Sequence, residues 1–125
     1  MLQLNLNRPG EHLFVRAASA EAITVVDRTL TKSFLLAADR AEENWPVQRL
    51  DQLDEAAIAK VLELKPEVVI LGTGAKLQFP PAKVQAEFLR RGIGLEVMDN
   101  AAASRTFNVL VSEGRRAVAA FLLPG

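Results

Sequence analysis

Val68, Val69, Ile70 and Leu71 form an unbroken apolar run, mostly β-branched, and Gly72-Thr73-Gly74 follows at once. Side chains alternate between the two faces of a strand, so a run apolar at every position fits a strand covered on both faces. That is the central strand of an α/β sheet. Ligands of open α/β sheets gather at the carboxyl ends of the strands. Gly72-Thr73-Gly74 is therefore the first place to look for function.

The flanking sequence supplies the layers. Leu2, Leu4 and Leu6 alternate with polar residues, which suits an edge strand or an extended arm over residues 1–10, ended by Arg8-Pro9-Gly10. Three strand-like runs follow, at 12–17, 22–26 and 29–37, with turns at 18–20 and 27–28. Short connections between consecutive strands make antiparallel hairpins, so this third of the chain reads as a β-meander. Residues 39–44 read as a charged loop, and Pro46 pushes Trp45 into an extended conformation. Asp51 or Asp54 can cap a helix running to about Leu64, with Ala57, Ile58, Val61 and Leu62 on its apolar face.

Beyond the apolar run, Pro80 and Pro81 pre-set a first helical turn. That helix reaches Arg91, with Val84, Phe88 and Leu89 on its apolar side and Gly92 just past its end. Residues 93–98 read as a second buried strand, 101–113 as a third helix stopped by Gly114, and 116–123 as the last strand. Helix, strand, helix, strand, helix, strand is the order of a Rossmann-like layered sheet with crossover helices. Neither half is large enough to be comfortable alone, so the chain of 125 residues reads as a single domain over 1–125.

Composition excludes several functions. Formal net charge is zero, which argues against nucleic-acid binding and against polybasic attachment to a membrane. The absence of cysteine removes thiol chemistry and Cys-based zinc sites. No stretch approaches the ~18 apolar residues of a membrane span, and no apolar core of a signal peptide follows a basic start. The chain is expected to be soluble and cytoplasmic, with no cofactor.

Two groups of residues stand out. At Gly72-Thr73-Gly74 the glycines would let backbone N–H groups approach an anion, with Lys76 as a nearby cation and Glu96 about where a dinucleotide fold puts its ribose-binding acid. The third glycine of that fingerprint is replaced by Leu77, and the helix starts only after Phe79-Pro80-Pro81. A strand-to-helix turn is the favoured reading. On the third helix, Ala103, Phe107, Leu110 and Val111 form the apolar face, and Arg105, Asn108 and Ser112 a polar stripe at i, i+3, i+7. Asn is a poor mid-helix residue, so Asn108 is expected to make a specific hydrogen bond. Arg105 could bind a carboxylate or tie down a loop. The only histidine, His12, has no nucleophile or metal-ligand partner at a telling spacing, and the lone Trp45 is expected to pack in the core.

Leu71 to Lys76, Phe79-Pro80-Pro81, Gly92 to Asp99 and Ala103 to Arg116 together resemble the Mth938-like family, a domain of unknown function, as do Thr31 to Leu36 and Trp45 to Val47. The resemblance implies a three-layer α/β fold with a mixed sheet and an added β-hairpin region. Its mitochondrial relatives are assembly factors for respiratory complex I, and another eukaryotic branch is linked to adipocyte differentiation. It supplies no catalytic residues. Asn100-Ala101 stands where the family often has Thr-Gly, and Ser104 where it often has Cys, so no redox role attaches to that position.

Two functions follow as expectations. The first is a non-enzymatic binding or assembly-assisting module with a protein partner, recognised by the glycine turn with Arg105 and Asn108 as the other wall. The alternative is a small-molecule or anion-binding protein, or an enzyme of unassigned reaction, with its site over Gly72-Thr73-Gly74.

Overall fold

The structure is a computed structural model that describes the backbone of Leu2–Gln3 and residues 12–125. Its strands and helices, in chain order, are β1 (Leu2–Gln3), β2 (Val15–Ala18), β3 (Ile23–Val25), β4 (Arg28–Leu30), β5 (Lys32–Leu36), β6 (Arg40–Glu42), α1 (Glu55–Glu63), β7 (Val68–Gly72), α2 (Ala82–Arg90), β8 (Gly94–Met98), α3 (Asn100–Ser112) and β9 (Ala117–Pro124). One sheet has the order β1-β6-β5-β9-β7-β8, and a smaller antiparallel sheet is β2-β3-β4. β9 pairs parallel with β7 and antiparallel with β5, so the large sheet is mixed.

The apolar alternation of β9 sorts the core into two halves. Ala117, Ala119, Phe121 and Leu123 face one layer with Val68, Ile70, Phe34, the small sheet and Ala103, Phe107 and Val111 of α3. Val118, Ala120 and Leu122 face the other, with Val69, Leu71, Leu35, Trp45, α1 and α2. A strand buried at every position from Ala117 to Leu123 is possible only with both faces covered. Phe34 and Phe121, opposite each other on β5 and β9, tilt at 31° with ring centroids 5.3 Å apart.

β7 connects through α2 to β8 on one side, and β8 returns through α3 to β9 on the other side of β7. The two crossovers run in opposite directions across the sheet. Because each is right-handed, α2 and α3 lie on opposite faces. Asp54 and Asp99 cap α1 and α3 by accepting from the N–H of Ala57 and Ala102, at 2.9 and 2.8 Å. Trp45 is 2% exposed, and its indole N–H donates to the Ala57 carbonyl at 3.0 Å.

Five expectations change. The run 29–37 is two strands in two sheets, breaking at Thr31, whose carbonyl accepts the N–H of Gly125. The second hairpin, between β3 and β4, turns at Val26-Asp27, one residue earlier than expected, with Val26 at φ 55°. The charged run 39–44 contains β6, because Ala41 alone among its charged neighbours is fully buried and pairs opposite Leu36. The strand at 93–98 is not buried but lies at the sheet's edge, half-covered. Leu89 does not join Val84 and Phe88, since it is 77% exposed. Of the N-terminal arm, Leu2–Gln3 pairs with β6 as an edge strand, and the rest of that expectation lies outside the described residues.

Candidate functional site: the carboxyl edge of the sheet

β7 ends against the first turn of α3. A Cβ on Gly72 would stand 2.6 Å from Asn100 Oδ1 and 3.0 Å from a Phe121 ring carbon, so glycine is required there for space. Gly74 is required for conformation, at φ +97°. Between them Thr73 donates its backbone N–H to the Met98 carbonyl at 2.9 Å. Its hydroxyl donates to the Lys76 carbonyl at 2.6 Å and accepts from the Gln78 N–H at 3.1 Å. The turn is closed on itself by one side chain.

Asn100 then ties the turn to α3. Its Oδ1 accepts from the Gly74 N–H at 3.0 Å, and its own N–H donates to the Gly74 carbonyl at 2.9 Å. Its side-chain NH2 donates to the carbonyls of Leu122 and Ser19 at 3.2 and 3.3 Å. The residue is 1% exposed, so these bonds satisfy an amide that burial would otherwise penalise. One side chain thereby joins the glycine turn, β9 and the loop after β2. The sequence shows Asn100 only as a departure from the family's Thr-Gly and assigns it no role; an amide directly after Asp99, where a strand meets a helix, is the signal that could have found it.

The N–H groups of Thr73, Gly74 and Gln78 are all spent inside the protein, and no anion cradle remains at those positions. Beside the turn lies an open cleft of about 600 Å³, walled by Thr73, Gly74 and Gln78 with Glu21, Arg49 and Asp51. Arg49 and Asp51 form an exposed ion pair at 3.2 Å. Lys76 is exposed and is not one of the cleft's walls.

The polar stripe of α3 lies elsewhere. Asn108 is about 12 Å along the axis from Asn100 at 1.5 Å per residue. Its Oδ1 accepts from the Val15 N–H at 2.8 Å, and its Nδ2 donates to the Val15 carbonyl at 2.9 Å. The expected hydrogen-bonding role is there, directed to the backbone of β2. Arg105 and Ser112 are exposed, and the Ser112 hydroxyl donates to the Val109 carbonyl at 2.7 Å. Neither Arg105 nor Asn108 walls the cleft at the glycine turn. The structure does not bring the two groups into one site.

At the opposite end of β7, Glu67 accepts from the backbone N–H of Arg116 at 2.9 Å, with the Arg115 guanidinium at 3.3 Å. Together they hold its carboxyl below the usual range, against the opposing effect of desolvation. Glu87 is lowered in the same sense, first by the Arg91 guanidinium at 2.7 Å and further by Arg90. His12 is half-buried with Nδ1 2.9 Å from the Leu13 carbonyl oxygen. Among the described residues no group of three or more His, Asp or Glu side chains is placed to share a metal ion. Among them, too, no helix is long and apolar enough to cross a membrane.

Comparison with known proteins places these features in context. A family model described as a protein of unknown function (DUF498/DUF598) matches residues 15–122. Over 72 residues the chain is 42% identical to "NADH dehydrogenase [ubiquinone] 1 alpha subcomplex assembly factor 3" of Danio rerio, a match covering 58% of this chain and 41% of that protein. The chain spans about half the length of the curated relatives it matches. A Xanthomonas campestris protein solved by NMR is 46% identical with a TM-score of 0.85, over 98% of this chain and 94% of that one. A Bordetella pertussis Mth938-like domain is 25% identical with a TM-score of 0.77, over 100% and 94% of the two chains.

Proposed function

The chain belongs to the DUF498/DUF598 family, with the Mth938-like fold, and from that premise we propose that it is a non-enzymatic binding module that assists the assembly of other proteins. The observation that carries this reading is the closed state of the strand-end turn. The N–H groups that would hold a phosphate or carboxylate over Thr73 and Gly74 are bonded to Met98 and Asn100. Opening them for a ligand would leave the buried Asn100 amide unsatisfied. The similarity to an assembly factor of Danio rerio supports the same direction. A cytoplasmic location and a protein partner are part of the proposal.

The second reading, a small-molecule or anion site, rests on the cleft beside the turn. Its volume lies within the range of ligand pockets, but its polar walls are open to solvent. A thermal-shift screen of nucleotides, phosphosugars and carboxylates separates the two. A true ligand at 100 times its Kd adds about 2.7 kcal/mol of stability. The binding-module reading expects a flat screen and reproducible capture of one protein by tagged chain in native lysate. A ligand that stabilises the wild type but not Thr73→Val, with no protein captured, would reverse the choice.

A further inference from the structure

We propose that the outer edge of β8 is a docking site for an extended segment of another protein, whose side chains alternate between apolar and basic. This deepens the binding-module reading and rests on it. The two ends of the large sheet differ. One end is β1, and the other is β8, five residues long and, among the described residues, with a strand partner on one side only. Gly94 donates to Glu67, and Met98 accepts from Thr73, so residues of their parity face β7. In a parallel ladder the intervening residues face the other way. The N–H and C=O of Leu95 and of Val97 therefore point out of the sheet. Within the strand there is no proline or bulge to blunt the edge, and its one charged side chain is Glu96, which a basic partner would neutralise.

The flanks state what would fit. On the α2 face, Val84 and Phe88 are buried, and Leu89 lies 100° further round the helix. The right-handed crossover from β7 to β8 turns that direction towards the outer side of β8. Gln85 shares it, so this flank is uncharged, and Leu89 leaves 77% of its area in water. On the α3 face, the register with Val68 and Ile70 puts Gly94, Glu96 and Met98 outward, with Glu96 exposed. Thr106 of α3 touches Met98, its hydroxyl 3.3 Å from the sulfur, and Glu113 follows on the same stripe two turns later. This flank carries acids. A partner strand therefore meets Leu89, Leu95 and Val97 with one set of alternate side chains and Glu96 with the other.

A second copy of the chain fits less well. Two antiparallel β8 strands in one continuous sheet are related by an axis normal to it, which places both α3 faces on the same side. Glu96 and Glu113 of each copy would then share that side, and like charges across a strand pair are destabilising.

The test is titration of the full chain with an eight-residue peptide alternating lysine and valine, followed by amide NMR and hydrogen exchange. The expected result is saturable binding with slowed exchange at Leu95 and Val97. Glu96→Lys should weaken binding by about tenfold or more, and should bind a peptide alternating glutamate and valine better than the wild type does. Glu96→Gln, which leaves shape unchanged, should give an intermediate loss if the reversal disturbs the fold. Unchanged Leu95 and Val97 amides, equal affinity in Glu96→Lys and Glu96→Gln, or a wild-type dimer with β8 protected would each overturn the proposal. Should the peptide fail while a native protein is still captured, this edge is excluded and the binding-module reading stands. Should nothing be captured and a metabolite stabilise the chain, both fall.

Discussion

Asn108 and Asn100 do related work at two points on α3. Each is an amide that meets backbone groups of a distant segment, Val15 in one case and Gly74, Leu122 and Ser19 in the other. Asn108→Ala leaves a half-buried Val15 N–H and C=O without partners and should cost about 1–3 kcal/mol in urea denaturation. A change under about 0.5 kcal/mol, the range of ordinary surface substitutions, would mean that water replaces the clamp. Gly72→Ala should cost about 1–3 kcal/mol by overpacking, since its Cβ would meet Asn100 and Phe121. Lys65 offers the opposite sign. It sits at φ 53° just past α1, where glycine is the unstrained residue, so Lys65→Gly should stabilise by a few tenths to about 1 kcal/mol. At this scale the sequence exposed kinds of residue and not their partners. A mid-helix Asn announces a hydrogen bond, but Val15 lies 93 positions away and no local pattern names it.

Elements were legible where their period is strong. α1 and α3, the burial of β7 and the glycine stop after α2 all follow from spacing and caps. β6 was hidden because three residues with one apolar member carry no period, and β5 decides their conformation by pairing. β8 was misjudged because Leu95 and Val97 read alike in a central strand and in an edge strand covered by a helix on one face. Charge at element ends sets an acid limb. Glu67 and Glu87 have lowered folded values, so their contribution is present above the ordinary glutamate value of 4.5 and is lost as pH falls through the lower folded one. Stability should therefore be level near neutrality and decline below about pH 4.5. Glu67→Gln should shallow that decline, and a pH series of urea midpoints measures it. An unchanged slope would mean that Glu67 gains nothing from Arg116 and Arg115.

For the whole molecule, layer order and the crossover pattern were readable, and the placement of candidate residues relative to one another was not. The glycine turn and the Arg105 stripe follow strands of one sheet, yet right-handed connections turn Asn108 towards the small sheet and leave the turn enclosed by Asn100. Among the described residues, the edge of β8 and the flank bearing Leu89 are left open. The function proposed for this chain is protein binding at that edge. Hydrogen exchange on the complex captured from native lysate, compared with the free chain, tests it directly. The expected result is protection over Gly94–Met98 and at Leu89, with Thr73 and Gly74 unchanged. Protection confined to the glycine turn, with Leu95 and Val97 exchanging as they do in the free chain, would contradict it.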